Sequence, residues 1–433
     1  MLKNGDNSTF HSQLSTLLKM EDKNIMAYKF IEGSVTAAKG FKASGIHCGI
    51  RKNKSKRDIA LIYSDVKCTA AAVYTTNLVQ SSPITVTKKN LANGYAQAVI
   101  VNSGNANTCN ADGIEKAEMM CQLVADKLDI SAEDVIVGST GVIGQVLPIE
   151  PIADGMEQLV SELDNTLESG TNAAEAIMTT DTVKKEVAVE TEIDGKIVKI
   201  GGISKGSGMI HPNMATMLCF VTTDAAISAE MIKKAVKTAA DSTFNMISID
   251  GDTSTNDTLS VMASGLAGNT EITAEGEDYN KFLEALTAVC KGLSKMMAKD
   301  GEGATKLLVC KVSGAKTEKD AKGVAKSVIC SSLLKAAMFG ADANWGRVLC
   351  AIGYSGCDVD VNKVDVAFQS KAGKISLCQG GAGIDFSEEV AKKILIEDEI
   401  DILVELNDGD SYAEAYGCDL TYEYVKINGD YRT

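Results

Sequence analysis

The chain has 433 residues, 45% of them hydrophobic and 23% charged, so it is long enough for two globular domains with substantial cores. Its formal net charge of −15 argues against nucleic-acid binding, which normally requires a basic patch. Twelve cysteines are scattered singly, without a C-x-x-C pair or zinc-type spacing, and this predicts reduced thiols in the core of a cytoplasmic protein.

Residues 1–25 are predicted to form a polar leader. They mix basic and acidic side chains and lack the apolar core of a signal peptide, and they are not poor in acids like a transit peptide. We expect this leader to be disordered, with a helix around residues 12–19 as the alternative. No apolar run in the chain approaches the roughly 18 residues needed to cross a bilayer, so no membrane partner is expected.

The downstream pattern alternates between strands and helices, as in an α/β protein. The predicted strands are 98–101, 134–137, 186–193, 196–200, 216–222 and 306–312. The predicted helices are 114–128, 149–163, 228–244, 279–299 and 320–339. The dipeptides Asp194-Gly195 and Asp408-Gly409 predict hairpin turns, and most of the chain after residue 339 is expected to be strand.

The most informative segment is 205–220, where a glycine-rich turn leads into Ala215, Thr216 and an apolar strand. A threonine hydroxyl is a poor nucleophile unless a base lies beside it. Cleavage before Thr216 would supply that base as a free α-amine, with a pKa of about 7.7–8.0. The small Ala215, together with Gly206 and Gly208, permits the backbone geometry that self-cleavage requires. The local chemistry permits this interpretation without compelling it.

Segment 205–220 resembles the region around the self-cleavage site of the ornithine acetyltransferases, the bifunctional glutamate N-acetyltransferase family of arginine biosynthesis. The likeness runs from Lys29 to Thr433, through several separate blocks. These blocks are 102–107, 138–144, 178–185, 300–306, 341–347 and 428–433.

The resemblance implies a layered α/β fold of the self-cleaving N-terminal-nucleophile type, with sheets flanked by helices. It implies a catalytic domain over residues 26–305 and a smaller C-terminal α/β domain over 306–433. It further implies processed chains 1–215 and 216–433, assembled as a heterotetramer with two copies of each.

The resemblance also implies roles for individual residues. Thr216 matches the nucleophile, and Thr140 and Gly141 match the oxyanion hole. The implied substrate contacts are Thr179, Lys205, Thr216, Glu302, Asn428 and Thr433. Lys205 could pair with an amino-acid carboxylate and Glu302 with an ammonium group. Without the surrounding motifs, both would be interpreted as ordinary loop residues.

The implied reaction moves an acetyl group from N2-acetylornithine to glutamate through an acetyl-Thr216 intermediate, without a metal or bound cofactor. Acetyl-CoA as a second donor is left open. The partners are therefore expected to be small molecules. Two alternatives remain: a self-cleaving aminopeptidase or amidohydrolase that uses water as acceptor, and an uncleaved amino-acid-binding protein.

Two further features near these motifs are expected to have no catalytic role. His211 precedes Pro212, which favours extended backbone, so it is predicted to shape the turn and not to act as a base. Segment 250–257 has some acids of a calcium-binding loop but lacks its glycine and final glutamate, so it is predicted to be a polar loop near the site.

Overall fold

The computed structural model describes residues 27–211 and 217–429. The predictions for residues 1–25, Ala215, Thr216 and Thr433 therefore lie outside the described residues. The strands are β1 Tyr28–Ile31, β2 Phe41–Ile46, β3 Ile59–Tyr74, β4 Tyr95–Asn105, β5 Val135–Val142, β6 Lys185–Ile193, β7 Lys196–Lys205, β8 Leu218–Thr223, β9 Ile247–Ser248, β10 Thr258–Ala263, β11 Leu307–Ala315, β12 Asp365–Ser370, β13 Gly373–Gln379, β14 Ala382–Gly383, β15 Glu399–Glu405 and β16 Ser411–Cys418. The helices are α1 Ser82–Asn90, α2 Gly113–Leu128, α3 Glu150–Ser161, α4 Leu167–Ala176, α5 Ala229–Ser242, α6 Glu277–Lys299, α7 Glu318–Cys330, α8 Ser332–Phe339, α9 Trp345–Gly353, α10 Glu388–Leu395 and α11 Tyr422–Gly429.

The first sheet is mixed and has the strand order β1-β6-β7-β8-β10-β3-β4-β5, with β2 also paired to β3. Side chains alternate between its two faces, as the period of a strand requires. Val99 faces a core formed with α4, whereas its neighbour Ile100 faces a core formed with α1, α2 and α3. At the other end of the sheet, the same face as Ile100 packs against α5 and α6.

The second sheet is also mixed and has the order β14-β13-β12-β15-β11-β16-β9. Val309 and Tyr416 belong to the same core as α5 and α6, so these two helices lie between the two sheets. The opposite face packs against α7 to α10. The predicted layered α/β architecture, with sheets flanked by helices, is therefore confirmed.

The short strand β9 lies in the predicted catalytic domain, yet it pairs in parallel with β16 of the second sheet. The boundary after residue 305 stays a prediction. Among the described residues, no helix combines the length and apolarity needed to cross a membrane.

Of the two predicted hairpins, one is confirmed and one is wrong. Asp194 and Gly195 have φ values of 50° and 65° and join β6 directly to its antiparallel neighbour β7. Asp408 and Gly409 connect β15 to β16, but these strands flank β11 and do not pair with each other. The connecting loop follows the end of β11, where the Asp408 N–H donates to the Gly314 carbonyl.

The C-terminal region also differs from the prediction. The predicted helix 320–339 is two helices, α7 and α8, divided at Ser331, whose side chain accepts a hydrogen bond from the Leu334 N–H and so caps the second helix. In the described part of the chain after residue 339, which ends at residue 429, there are three α-helices, α9, α10 and α11, beside the strands. These helices were not predicted from the sequence, because each has only eight or nine residues and so shows little helical periodicity.

Candidate functional site

The predicted site residues that the structure describes come from five separate elements. Thr140 and Gly141 lie near the end of β5, and Thr179 lies in the loop between α4 and β6. Lys205 is the last residue of β7, Glu302 follows α6, and Asn428 lies in α11. Hydrogen bonds connect four of these elements in two groups.

The first group joins Lys205 to the predicted oxyanion segment. The Lys205 Nζ donates to the Thr140 Oγ1 at 3.3 Å, although the two residues are 65 positions apart. Lys205 is only 8% exposed. Burial lowers its pKa below the usual value, although the Asp181 carboxylate opposes the shift. Because Thr140 Oγ1 accepts from the lysine, its own hydroxyl proton can be donated to another group.

The second group joins Glu302 to the C-terminal helix. The Asn428 Nδ2 donates to Glu302 Oε2 at 2.7 Å, and the Glu302 N–H donates to the Ser207 carbonyl at 2.7 Å. Gly208 lies directly against this carboxylate, since a Cβ at residue 208 would be 2.3 Å from Oε2. The glycine is therefore required for the close approach of the 205–208 turn to Glu302.

A buried ion cluster of Asp181, Lys185 and Asp300 supports both groups. The Lys185 Nζ lies 2.6 Å from Asp181 Oδ1 and 2.6 Å from Asp300 Oδ2. Burial lowers the pKa of Lys185, but the two carboxylates outweigh it and hold the pKa above the usual value. Burial likewise raises the pKa of Asp181, yet Lys185 and Lys205 outweigh it and keep the pKa low. Lys185 and Asp181 are therefore both charged at neutral pH.

The two carboxylates of this cluster accept hydrogen bonds from the backbone near the predicted site residues. Asp181 accepts hydrogen bonds from the N–H groups of Thr179 at 2.9 Å and Gly206 at 2.7 Å. Asp300 accepts from the N–H of Thr182 at 3.1 Å. Neither acid was predicted to be a site residue, although both lie inside blocks that carry the family resemblance. Four-residue spacing indicates an ion pair only on a helix, and Asp181 lies in a loop while Lys185 begins β6, so no local pattern indicated this pair.

A small cavity lies where the first group meets the start of β8. It is lined by Thr140, Lys205, Gly208, Met209, Ile210, Met217, Leu218, Ser254, Asn256 and Asp257. Met217 is the residue that follows the predicted nucleophile. Asp257 is 2% exposed, and its Oδ2 has no hydrogen-bond partner among the described residues. Burial raises the pKa of Asp257 well above its ordinary value and so favours the neutral carboxyl. From the sequence, Asp257 was predicted only to lie in a polar loop near the site.

The turn that ends at His211 is held by hydrogen bonds to the 250–257 loop, which also contains Asp257. Asp250 accepts hydrogen bonds from the N–H groups of Met209 at 2.5 Å and Ile210 at 2.8 Å. The Nδ1 of His211 lies 3.1 Å from the Ser248 Oγ. Burial, reinforced by Lys326, lowers the pKa of His211 to about 4, so its ring is neutral at physiological pH.

Comparison with known proteins gives consistent matches over nearly the whole chain. The model of the ArgJ family matches residues 42–433. The chain is 49% identical over 406 residues to the arginine biosynthesis bifunctional protein ArgJ of Caldanaerobacter subterraneus subsp. tengcongensis, covering 94% of this chain and 100% of that protein. It is 50% identical over 401 residues to ArgJ 1 of Clostridium acetobutylicum, covering 92% and 98%. The crystal structure of an ArgJ protein from Bacillus halodurans is 47% identical, covers 49% of this chain and 98% of that chain, and aligns with a TM-score of 0.47.

Proposed function

The chain belongs to the ArgJ family, and from this premise we propose that it transfers the acetyl group of N2-acetylornithine to glutamate in arginine biosynthesis. The observation that most supports a zwitterionic substrate is the pair of buried charges on converging loops. Lys205 and Glu302 are both 8% exposed, carry opposite charges and stand on segments linked through Ser207.

In this proposal Lys205 and Glu302 bind the two ends of an amino acid. The Lys205 ammonium binds the α-carboxylate, which acetylornithine and glutamate share. The Glu302 carboxylate, oriented by Asn428, binds the side-chain ammonium of ornithine. Thr179 and the C-terminal Thr433 complete the contacts. Charge-assisted hydrogen bonds of this kind each contribute about 1.5–3 kcal/mol.

The chemistry is assigned to Thr216. Its Oγ attacks the acetyl carbonyl carbon while its α-amine takes the hydroxyl proton. Thr140 and Gly141 stabilise the oxyanion, and the contact with Lys205 favours this role by leaving the Thr140 hydroxyl proton free to be donated. One such donor is worth roughly 3–4 kcal/mol in the transition state. The amine then returns the proton to the departing ornithine nitrogen. In the second half-reaction the glutamate amine attacks the acetyl ester, its proton passes through the same amine, and the Thr216 Oγ–acetyl bond breaks.

The free α-amine requires cleavage between Ala215 and Thr216. We propose mature chains of residues 1–215 and 216–433, with two copies of each in a heterotetramer located in the cytoplasm. This mechanism needs no metal and no resident cofactor, because the α-amine of Thr216 is the base. Acetyl-CoA as an additional acetyl donor belongs to the same proposal.

Cleavage is tested by denaturing electrophoresis of the purified, active protein. Two bands of about half the full mass are expected, and Thr216→Ala should give one full-length band because it removes the attacking hydroxyl. Thr222→Ala, on the neighbouring strand β8, is the matched control and should cleave normally. A fully active protein that remains a single chain would contradict the mechanism. A single chain without transfer activity would favour the uncleaved binding protein.

The reaction is tested by supplying N2-acetylornithine labelled in the acetyl group. Label should appear in N-acetylglutamate only when glutamate is present, with ornithine released in equal amount. Release of free acetate independent of glutamate would instead indicate the aminopeptidase-type alternative, which membership of the ArgJ family does not favour. A parallel reaction with labelled acetyl-CoA decides whether this donor is accepted.

A further inference from the structure

The proposed acyl transfer leaves one buried group of its cavity unused, the carboxyl of Asp257. This residue is 2% exposed, and its Oδ2 has no hydrogen-bond partner among the described residues. Nearly all buried polar atoms in folded proteins have such a partner, because an unpaired one destabilises the fold. Catalytic sites are among the places where an unpaired atom is retained, since a substrate can supply the missing partner.

The backbone of Asp257 is held by the strands on both sides of it. Asp257 directly precedes β10, and its carbonyl accepts a hydrogen bond from the Thr75 N–H at 3.1 Å. The N–H of the next residue, Thr258, donates to the Met217 carbonyl at 2.8 Å, where β10 meets its parallel neighbour β8. The Asp257 side chain, which lines the cavity, is therefore presented from a fixed backbone.

The preceding residue, Asn256, connects this backbone to the predicted oxyanion segment. Its Nδ2 donates to the Ser139 carbonyl at 2.8 Å and to the Ala106 carbonyl at 2.6 Å. Ser139 is the residue directly before Thr140 in β5. The positions of Asp257 and Thr140 around the cavity are therefore set by hydrogen bonds within the protein, before any substrate binds.

The donor N2-acetylornithine presents three polar groups in a row: the acetyl oxygen, the α-N–H and the α-carboxylate. In the proposed binding mode the acetyl oxygen contacts Thr140 and the carboxylate contacts Lys205, and the Oγ1 and Nζ atoms of these residues lie 3.3 Å apart. Because the α-nitrogen is bonded to both the acetyl carbon and the α-carbon, it lies between these two contacts, in the cavity that Asp257 also lines. Burial raises the pKa of the Asp257 carboxyl and favours its neutral form, whose oxygens still accept hydrogen bonds.

We propose that the Asp257 carboxyl accepts a hydrogen bond from the α-nitrogen of the substrate, first from the donor amide and then from the entering glutamate amine. This inference rests on the proposed acyl transfer and adds no covalent step to it. The contact orients the α-nitrogen relative to the acetyl carbon, from which it departs and which it later attacks. Together with Lys205 and Glu302, Asp257 gives the α-carbon three contacts, on its nitrogen, its carboxylate and its side chain. Three contacts are what is needed to distinguish an L-amino acid from its D-isomer.

The test compares N2-acetylornithine with its ester analogue 2-acetoxy-5-aminopentanoate, in which oxygen replaces the α-nitrogen and no N–H is left to donate. In a ping-pong reaction, kcat/KM for the donor reports the first half-reaction alone. Asp257→Ala should lower this constant about tenfold for the amide donor, the loss that one hydrogen bond predicts, and should leave the ester donor within about threefold. Asp257→Asn keeps the shape and one acceptor oxygen, so it should restore most of the rate with the amide donor.

The matched control is Asp224→Ala. Asp224 is likewise a buried acid, 1% exposed, but it follows the other end of β8 and does not line the cavity. This variant should leave the ratio of the two kcat/KM values unchanged. Thermal unfolding and denaturing electrophoresis verify that each variant is folded and cleaved.

A crystal structure of the wild type with ornithine bound measures the contact directly and does not depend on how the variants fold. The α-nitrogen should lie within about 3.2 Å of a carboxyl oxygen of Asp257, and a longer separation would overturn the inference. Equal losses for the amide and ester donors in Asp257→Ala, or no loss for either, would also overturn it, because the residue would then be structural. If Asp257→Ala does not fold, the distance alone decides. Label transfer from N2-acetylornithine to glutamate by the wild type tests the proposed function separately, so the two failures are distinguishable.

Discussion

Replacing Lys185 by methionine should strongly destabilise the protein. Lys185 and Asp181 are fully buried, and Asp300 is nearly so, with exposed side-chain fractions of 0%, 0% and 6%. Methionine has a similar length and fills the same space, but it leaves two carboxylates buried without their shared cation. Removing one partner from a buried ion pair typically costs about 3–5 kcal/mol.

The cost should depend on pH with a definite sign. The pKa of Asp181 is held below its ordinary value of 3.8, because Lys185 and Lys205 outweigh the effect of burial. Its stabilising contribution is therefore fully present above that ordinary value and is lost as the pH falls through the lower, folded-state pKa. The difference in the free energy of unfolding between wild type and Lys185→Met should accordingly be largest near neutral pH and shrink in acid.

The measurement is urea-induced unfolding, with both proteins carrying Thr216→Ala so that each is compared as a single chain. The exposed pair of Lys29 and Glu190, 3.3 Å apart, provides the control. Lys29→Met should cost no more than about 1 kcal/mol. Adding Asp181→Asn and Asp300→Asn to Lys185→Met should restore part of the loss, because no buried charge then lacks a partner. A loss for Lys185→Met as small as that of Lys29→Met would refute the assignment of this cluster as a buried structural support.

Three further predictions concern the site and its surroundings. Gly208→Ala should raise the KM for N2-acetylornithine at least tenfold in steady-state assays, because the new methyl group would lie 2.3 Å from Glu302 Oε2 and displace the carboxylate. An unchanged KM would contradict the placement of Glu302 in the pocket. Gly141→Ala should abolish acetyl exchange between N2-acetylornithine and glutamate. The new Cβ would lie 2.3 Å from the Gly104 carbonyl carbon, and residue 141 has a φ of 133°. The control Gly144→Ala, where φ is 80° and no atom lies within 4 Å of the new Cβ, should cause only backbone strain. Between pH 4 and 6.5 the free energy of unfolding of the wild type should rise with pH, because the pKa of His211 falls from 6.5 to about 4 on folding. His211→Asn should reduce this slope when the free energy of unfolding is measured across the same pH range.

Local backbone preferences were sufficient for some elements. The Asp194-Gly195 turn was predicted correctly because both residues tolerate positive φ and the flanking strands alternate. The helix after Ser228 was also predicted, and the Ser228 side chain accepts the hydrogen bond of the Met231 N–H, as a helix cap should. In such cases the atoms that decide the conformation lie within a few residues of one another.

The Asp408-Gly409 turn shows where local reasoning fails. The dipeptide favours a tight turn whether or not the flanking strands pair with each other. Here β11, which begins about 90 residues upstream, occupies the place between β15 and β16. The order of strands depends on which apolar faces can be buried together, and this is a property of the whole sheet.

The sequence by itself determined the residue types of the candidate site, the separate blocks that carry them and the family to which the chain belongs. Only the tertiary structure decided which side chains are in contact. Lys205 binds Thr140, and Glu302 binds Asn428. Lys185 binds two acids, of which Asp300 lies 115 residues away in the sequence. The physical reason is that a buried charge needs an opposite charge or a hydrogen bond within about 3 Å. The folded chain can supply that partner from any segment, so no local pattern records the choice.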